Sequence, residues 1–254
     1  MLADQNWSGS FMMPVAYRGR QKLPSQCEKE YSNLPLDWRK RIVFRATLAP
    51  MSMNRFDCKL IALDKKPVPD AAAYAAVGED GRAVLRVTTP IMTVDIGCTT
   101  GLVERWCVRG VDFLGSGACA LDVMRDANDS WGMLFTSWHD RLGSFTLLSD
   151  EEGSRFSDLD TVIPSVRVIE DGELRVVIEA VFGYEGSGAT VRYAISRVAP
   201  QIDLDIRIVN QTKRRLIKLR LPQALPDPVP VVETAFGEEP MHGEGREEIG
   251  QKFL

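Results

Sequence analysis

The side chains that most often do acid–base or metal chemistry are scarce in this sequence and poorly spaced for it. Only two histidines occur, His139 and His242, and they form neither an HxH nor an HExxH pair. His139 lies in Ser137-Trp138-His139-Asp140, beside a tight turn, and reads as a surface-loop histidine. Asp and Glu together number 35. An acid and a nucleophile for glycoside cleavage would have to stand about 5–9 Å apart, a separation that sequence order does not display. There is no G-x-S-x-G elbow, no G-x-G-x-x-G and no P-loop. The cysteines are Cys27, Cys58, Cys98, Cys107 and Cys119, an odd number without a CxxC. They read as free thiols rather than zinc ligands or disulfides. No catalytic residue, no metal ligand and no cofactor is assigned to this chain.

Five tryptophans are the remaining candidates, because sugar rings stack on aromatic faces. Trp38 and Trp106 read as core. Trp131 and Trp138 flank a polar loop that begins Asp126-Ala127-Asn128-Asp129-Ser130. Asp126, Asp129, Trp131, Trp138 and His139 are therefore candidates for a carbohydrate-facing surface. Asp126 or Asp129 is expected to accept backbone hydrogen bonds that fix the loop, with Trp131 packed beneath.

The elements that would carry these residues are strands. In Gln201–Val209, Ile202, Leu204, Ile206 and Ile208 alternate with Asp203, Asp205 and Arg207, the period of a half-buried strand. Ala189–Val198, Leu174–Phe182 and Leu216–Leu221 alternate likewise. Asp171-Gly172, between Val166–Glu170 and Leu174–Phe182, reads as a two-residue hairpin turn with positive φ at both positions. An antiparallel meander over about residues 165–221 follows. Ala83–Thr89, Ile91–Ile96, Leu102–Val108 and Ala118–Val123 read as strands, as do Arg41–Leu48 and Asp57–Ala62. Five alanines in Ala71–Ala76 suggest one short helix, and Pro67 and Pro69 suit a linker before it. The chain thus divides into residues 1–70, a small β unit with linker, and 71–254, a large β-sandwich. Consecutive short strands with few helices mean an all-β, antiparallel fold.

Composition excludes some partners. Hydrophobic residues make up 44% and charged residues 26%, ordinary values for a globular chain. The net charge is -4, and no basic run exceeds three residues, as in Lys213-Arg214-Arg215, which reads as a solvated turn. No nucleic-acid partner is expected. Residues 1–20 lack an apolar leader core and no run approaches a membrane span, so a cytoplasmic chain with no membrane partner is expected.

Several segments, in order, resemble the C-terminal region of family 38 glycoside hydrolases, the α-mannosidases of bacterial type. Pro24-Ser25-Gln26-Cys27-Glu28 is similar to the segment that follows their helical bundle. Leu36–Ala46 and Leu48-Ala49-Pro50 resemble the strands after it. Asp126–Gly132 is similar to a D-x-x-D-[TS]-W-x loop, Glu170–Arg175 to an E-x-G-P-[LV]-R hairpin, and Asn210–Leu219 to W-x-E-x-x-K-L-L-K-L. Phe236–Pro240 and Gly245–Phe253 resemble F-G-x-x-x-R-P and N-G-x-E-x-P-x-Q-x-W. No single motif is specific; their order over about 230 residues carries the resemblance.

The resemblance implies an antiparallel supersandwich like that of galactose mutarotase, preceded by a smaller β unit and continuing beyond Leu254. It implies a parent that removes α-mannosyl residues from mannosides. Zinc, the nucleophile and the acid/base would lie in an N-terminal catalytic barrel, the first expected partner. It also adds Glu239, His242, Glu247 and Gln251 to the carbohydrate-facing candidates, although Glu239 stands where the family has arginine. The chain alone is expected to be inactive. The alternative is a stand-alone mutarotase-like epimerase or lyase, which would need an inward histidine and carboxylate. The glycine-rich tail 236–254 is expected to cross the cleft in the parent and, without the barrel, to be mobile or to join two copies into a homodimer through β edges.

Overall fold

Alternation of apolar and charged residues becomes antiparallel strands along almost the whole chain in a computed structural model, which describes residues 11–29, 40–65, 67–128 and 138–240. The N-terminal strands are β1 (Phe11–Arg18), β2 (Gln21–Lys22), β3 (Ser25–Lys29), β4 (Lys40–Phe44) and β5 (Asp57–Leu63). They form one sheet ordered β2-β1-β5 and a β3-β4 pair.

Next come β6 (Ala73–Val77), β7 (Ala83–Thr88), β8 (Met92–Gly97), β9 (Val103–Val108) and β10 (Val111–Leu114). These make a five-stranded meander, with β6 at one edge and β10 at the other. β6 corrects the expected helix at Ala71–Ala76. Five alanines are too few to nucleate a helix without help, and pairing Ala73 with Val87 through Val77 with Ala83 satisfies their backbone instead.

The chain continues through β11 (Ala120–Arg125), β12 (Arg141–Ser144), β13 (Thr146–Leu147), helix α1 (Asp150–Phe156), β14 (Val166–Asp171), β15 (Arg175–Tyr184), β16 (Ser187–Ser196), β17 (Ile202–Val209) and β18 (Arg215–Arg220). β14 to β17 form the expected meander, but it ends at Val209. β18 leaves it and pairs with β11, in a sheet ordered β12-β11-β18. The exit is built by Asn210, whose Oδ1 accepts the Thr212 N–H at 3.0 Å, and by Arg214 at φ 56°. The basic cluster therefore lies in a turn between sheets. Finally β19 (Val231–Thr234) and β20 (Gly237–Pro240) pair only with each other among the described strands.

Two turns differ from expectation. The loop after β14 spans Gly172–Leu174, and neither Asp171 nor Gly172 has a positive φ. Glycine is needed there for space: a Cβ on Gly172 would lie 2.0 Å from Gln26 Cδ. Turns with two left-handed residues are found instead at Arg109-Gly110, at φ 50° and 85°, between β9 and β10, and at Glu185-Gly186, at φ 44° and 81°, between β15 and β16.

One core joins the layers. Val87, Val94, Ile96 and Val103 of the β6–β10 sheet pack with Val176, Ile178, Phe182, Val191, Tyr193 and Ile195 of the β14–β17 sheet. Leu121 and Val123 of β11 enter the same core. The fold is an all-β antiparallel sandwich. The N-terminal strands are tied to it by Gln26, whose Oε1 accepts the N–H groups of Leu174 and Arg175 at 2.9 and 3.0 Å. Glu28 adds a bidentate pair with Arg175, at 2.7 and 2.6 Å.

Candidate functional site

The polar residues singled out around Trp138 meet at one end of the β12-β11-β18 sheet. Strand alternation turns Leu121 and Val123 to the core, so Ala120, Asp122 and Met124 face the other way. Antiparallel pairing then sets Ser144 of β12 and Lys218 of β18 opposite Asp122. A register shift after Val123 skips Leu142 and brings Arg141 opposite Met124, onto the Asp122 face.

The buried Asp122 carboxylate is enclosed by these neighbours. Ser144 Oγ donates to Oδ1; Arg141 Nε lies 3.2 Å from Oδ1 and Arg220 Nε 3.0 Å from Oδ2, as ion pairs. Both arginines remain about half exposed, at 53% and 44% of their side chains, and Arg141 Nη2 also donates to Ser144 Oγ at 2.5 Å. Asp126 follows at the strand end. Its Oδ1 accepts the Ala127 N–H at 2.9 Å and the indole N–H of Trp138 at 2.8 Å. Trp138 is buried, and its carbonyl accepts from Lys218 Nζ at 2.8 Å. His139 is exposed beside it, and Asp140 pairs with Arg125 at 2.5 Å.

Asp126, Trp138 and His139 are thus brought together, and Asp126 accepts a backbone hydrogen bond. Glu239 is exposed in the β19–β20 hairpin, opposite Val232. Asp129, Trp131, His242, Glu247 and Gln251 lie outside the described residues. Sequence reasoning missed Asp122, Arg141 and Arg220. Their only signal is a charged residue within a strand pattern at Ala118–Val123, and it points nowhere until the pairing with β12 and β18 is known.

The remaining buried carboxylates show the same construction. Asp95 receives Arg86 at 2.7 and 2.6 Å. Glu179 lies between Arg167 and Arg192, the latter at 2.6 Å. None of the five cysteines forms a disulfide, and burial pushes the Cys119 thiol up to about 11, far from a nucleophile at neutral pH. Among the described residues no three His, Cys, Asp or Glu side chains cluster as a metal-ligand set, and no helix is long and apolar enough to cross a membrane. Arg141 and Arg220, half exposed around Asp122, carry donors that can hydrogen-bond a hydroxyl-rich ligand; Arg220 sits opposite Ala120, at the far end of β11 from Asp126. No family model matches this chain, and no curated protein matches it.

Proposed function

We propose that this chain is the non-catalytic β region of a glycoside hydrolase like the family 38 α-mannosidases. It supports the cleft of a separate catalytic barrel and offers the Asp126–His139 face to carbohydrate. In this reading, mannosides are cleaved in the barrel, where zinc, nucleophile and acid/base reside.

The observation that carries the proposal is the use made of the buried carboxylates. Glu28, Asp95, Asp122 and Glu179 each have both oxygens bonded to arginine or hydroxyl groups. A general acid or base needs an oxygen within reach of the substrate proton. Carboxylates held this way serve the framework. The all-β sandwich and the ordered family-like segments agree with this role.

The test is hydrolysis of an aryl α-mannoside by purified residues 1–254, with and without added zinc. No turnover above buffer is expected. Turnover proportional to protein concentration, and lost in His139→Ala or His242→Ala, would overturn the proposal.

A further inference from the structure

One end of the N-terminal strands presents apolar side chains that nothing among the described residues covers. Between β4 and β5 the chain turns at Pro50-Met51, with Met51 at φ 49°, a conformation that glycine or asparagine usually supplies. Met51 and Met53 are fully exposed, and Leu48 is largely so. The loop is nevertheless fixed. Asn54 Oδ1 accepts the Ala49 N–H at 3.0 Å, and Asn54 Nδ2 and Ser52 Oγ donate to the Ala49 carbonyl at 3.2 and 3.1 Å. Arg18, beside the β1–β2 turn, ties that turn to the loop by donating to the Thr47 carbonyl and to Asn54 Oδ1, both at 2.9 Å. A left-handed methionine strains the turn and packs on nothing there, so the turn does not account for its identity.

Positive charge gathers at the same end. Residues 1–70 hold twelve Lys and Arg against seven Asp and Glu, and residues 71–254 nineteen against twenty-eight, so the chain has a basic and an acidic part. Residues 11–24 and 44–63, which build this end, hold six Lys and Arg and one carboxylate, Asp57. Some of these cations are committed. Arg55 pairs with Asp57 at 3.2 Å, Lys59 Nζ lies 4.7 Å from the centre of the Tyr17 ring, and Lys22 shares a depression with Glu173. Arg18 bonds only neutral oxygens in the loop, so its charge is not offset there. Arg45 lines a depression with Arg18 and Thr47 beside the loop. Arg20 and Arg45 are exposed, with no ion pair among the described residues.

We propose that this end lies on an anionic membrane surface, with Leu48, Met51 and Met53 entering the boundary between headgroups and acyl chains. A protein partner needs a face of about 800 Å² on each side, and a protruding loop offers none, whereas a bilayer encloses a tip. The acidic sandwich is repelled by the same surface, which orients the chain with its basic end down. A chain that lies on a membrane needs no spanning segment, so the missing span does not bear on this contact. The proposal is independent of the role of the Asp126 face. Co-sedimentation of residues 1–254 with phosphatidylcholine vesicles, with and without about 30% phosphatidylserine, tests it. Binding to the anionic vesicles is expected, weakening as salt rises and at least about tenfold tighter than to phosphatidylcholine alone. Met51→Ser with Met53→Ser changes two fully exposed side chains and should weaken binding at least about tenfold, through the lost apolar burial. Arg20→Glu with Arg45→Glu should weaken it at least as much and abolish the preference for anionic lipid. Absence of binding to the anionic vesicles, or unchanged affinity in either variant, would refute the proposal. Tight binding to polyglutamate or duplex DNA that does not need Met51 and Met53 would give the surface to an acidic macromolecule instead, and would equally refute it.

Discussion

At the scale of single residues, Asp126 acts first as an anchor. Its carboxylate takes the indole N–H of a buried tryptophan. Asp126→Ala should leave that N–H without its acceptor and cost about 1–3 kcal/mol. Asp126→Asn keeps an acceptor oxygen and should cost less than about 1 kcal/mol. Urea denaturation of the three proteins checks the order. Cys119 gives a pH dependence. Its folded thiol is raised by burial from 9.0 to about 11, so between these values the unfolded chain loses a proton that the folded chain keeps. Stability must then fall as pH rises through that window. Tyr193 adds to the loss at higher pH, because burial also raises its hydroxyl above the usual value of 10.0. Cys119→Ala should flatten the decline between pH 9 and 11 in denaturation midpoints. Asp126 was legible as a loop-fixing residue, but its partner was not: the tryptophan expected beneath the loop was Trp131, which lies outside the described residues, and it is Trp138 that donates to Asp126. The grip of Arg141 and Arg220 on Asp122 was not legible either, because it depends on a skipped residue in β12 and on a strand from about 95 residues away.

At the scale of elements, the hairpin after β14 is locked by an N-terminal side chain. Gln26→Ala should orphan the N–H groups of Leu174 and Arg175 and cost ~2–4 kcal/mol. Gly172→Ala should expel the same amide and cost a similar amount, since its Cβ would overlap Gln26. In the double variant the second change should be nearly neutral, because the space is already empty. Additive losses in a denaturation cycle would refute this link. Strands β14 to β17 were readable because their alternation is local and long. β6 was misread because alanine carries no face and only β7 decides its state. α1 was overlooked although Ser149 and Glu152 form a capping box, each side chain accepting the other's backbone N–H at 3.2 Å. β18 was assigned to the wrong sheet, since periodicity reports a face and not a partner.

At the scale of the whole molecule, the β19–β20 hairpin stands apart from the sandwich sheets, with Val231 and Phe236 exposed. Such open edges favour association. Light scattering at micromolar concentration should find a dimer for residues 1–254 and a monomer for a chain ending at Asp227. The central claim, that this sandwich completes a catalytic barrel, is tested most directly by a chimera. The barrel and helical bundle of a family 38 α-mannosidase, stripped of its own β region, is assayed on an aryl α-mannoside alone and joined to residues 1–254. Zinc-dependent hydrolysis by the chimera well above that of the barrel alone, and none by residues 1–254, is expected. A chimera no more active than the bare barrel, together with turnover by residues 1–254 on their own, would contradict it.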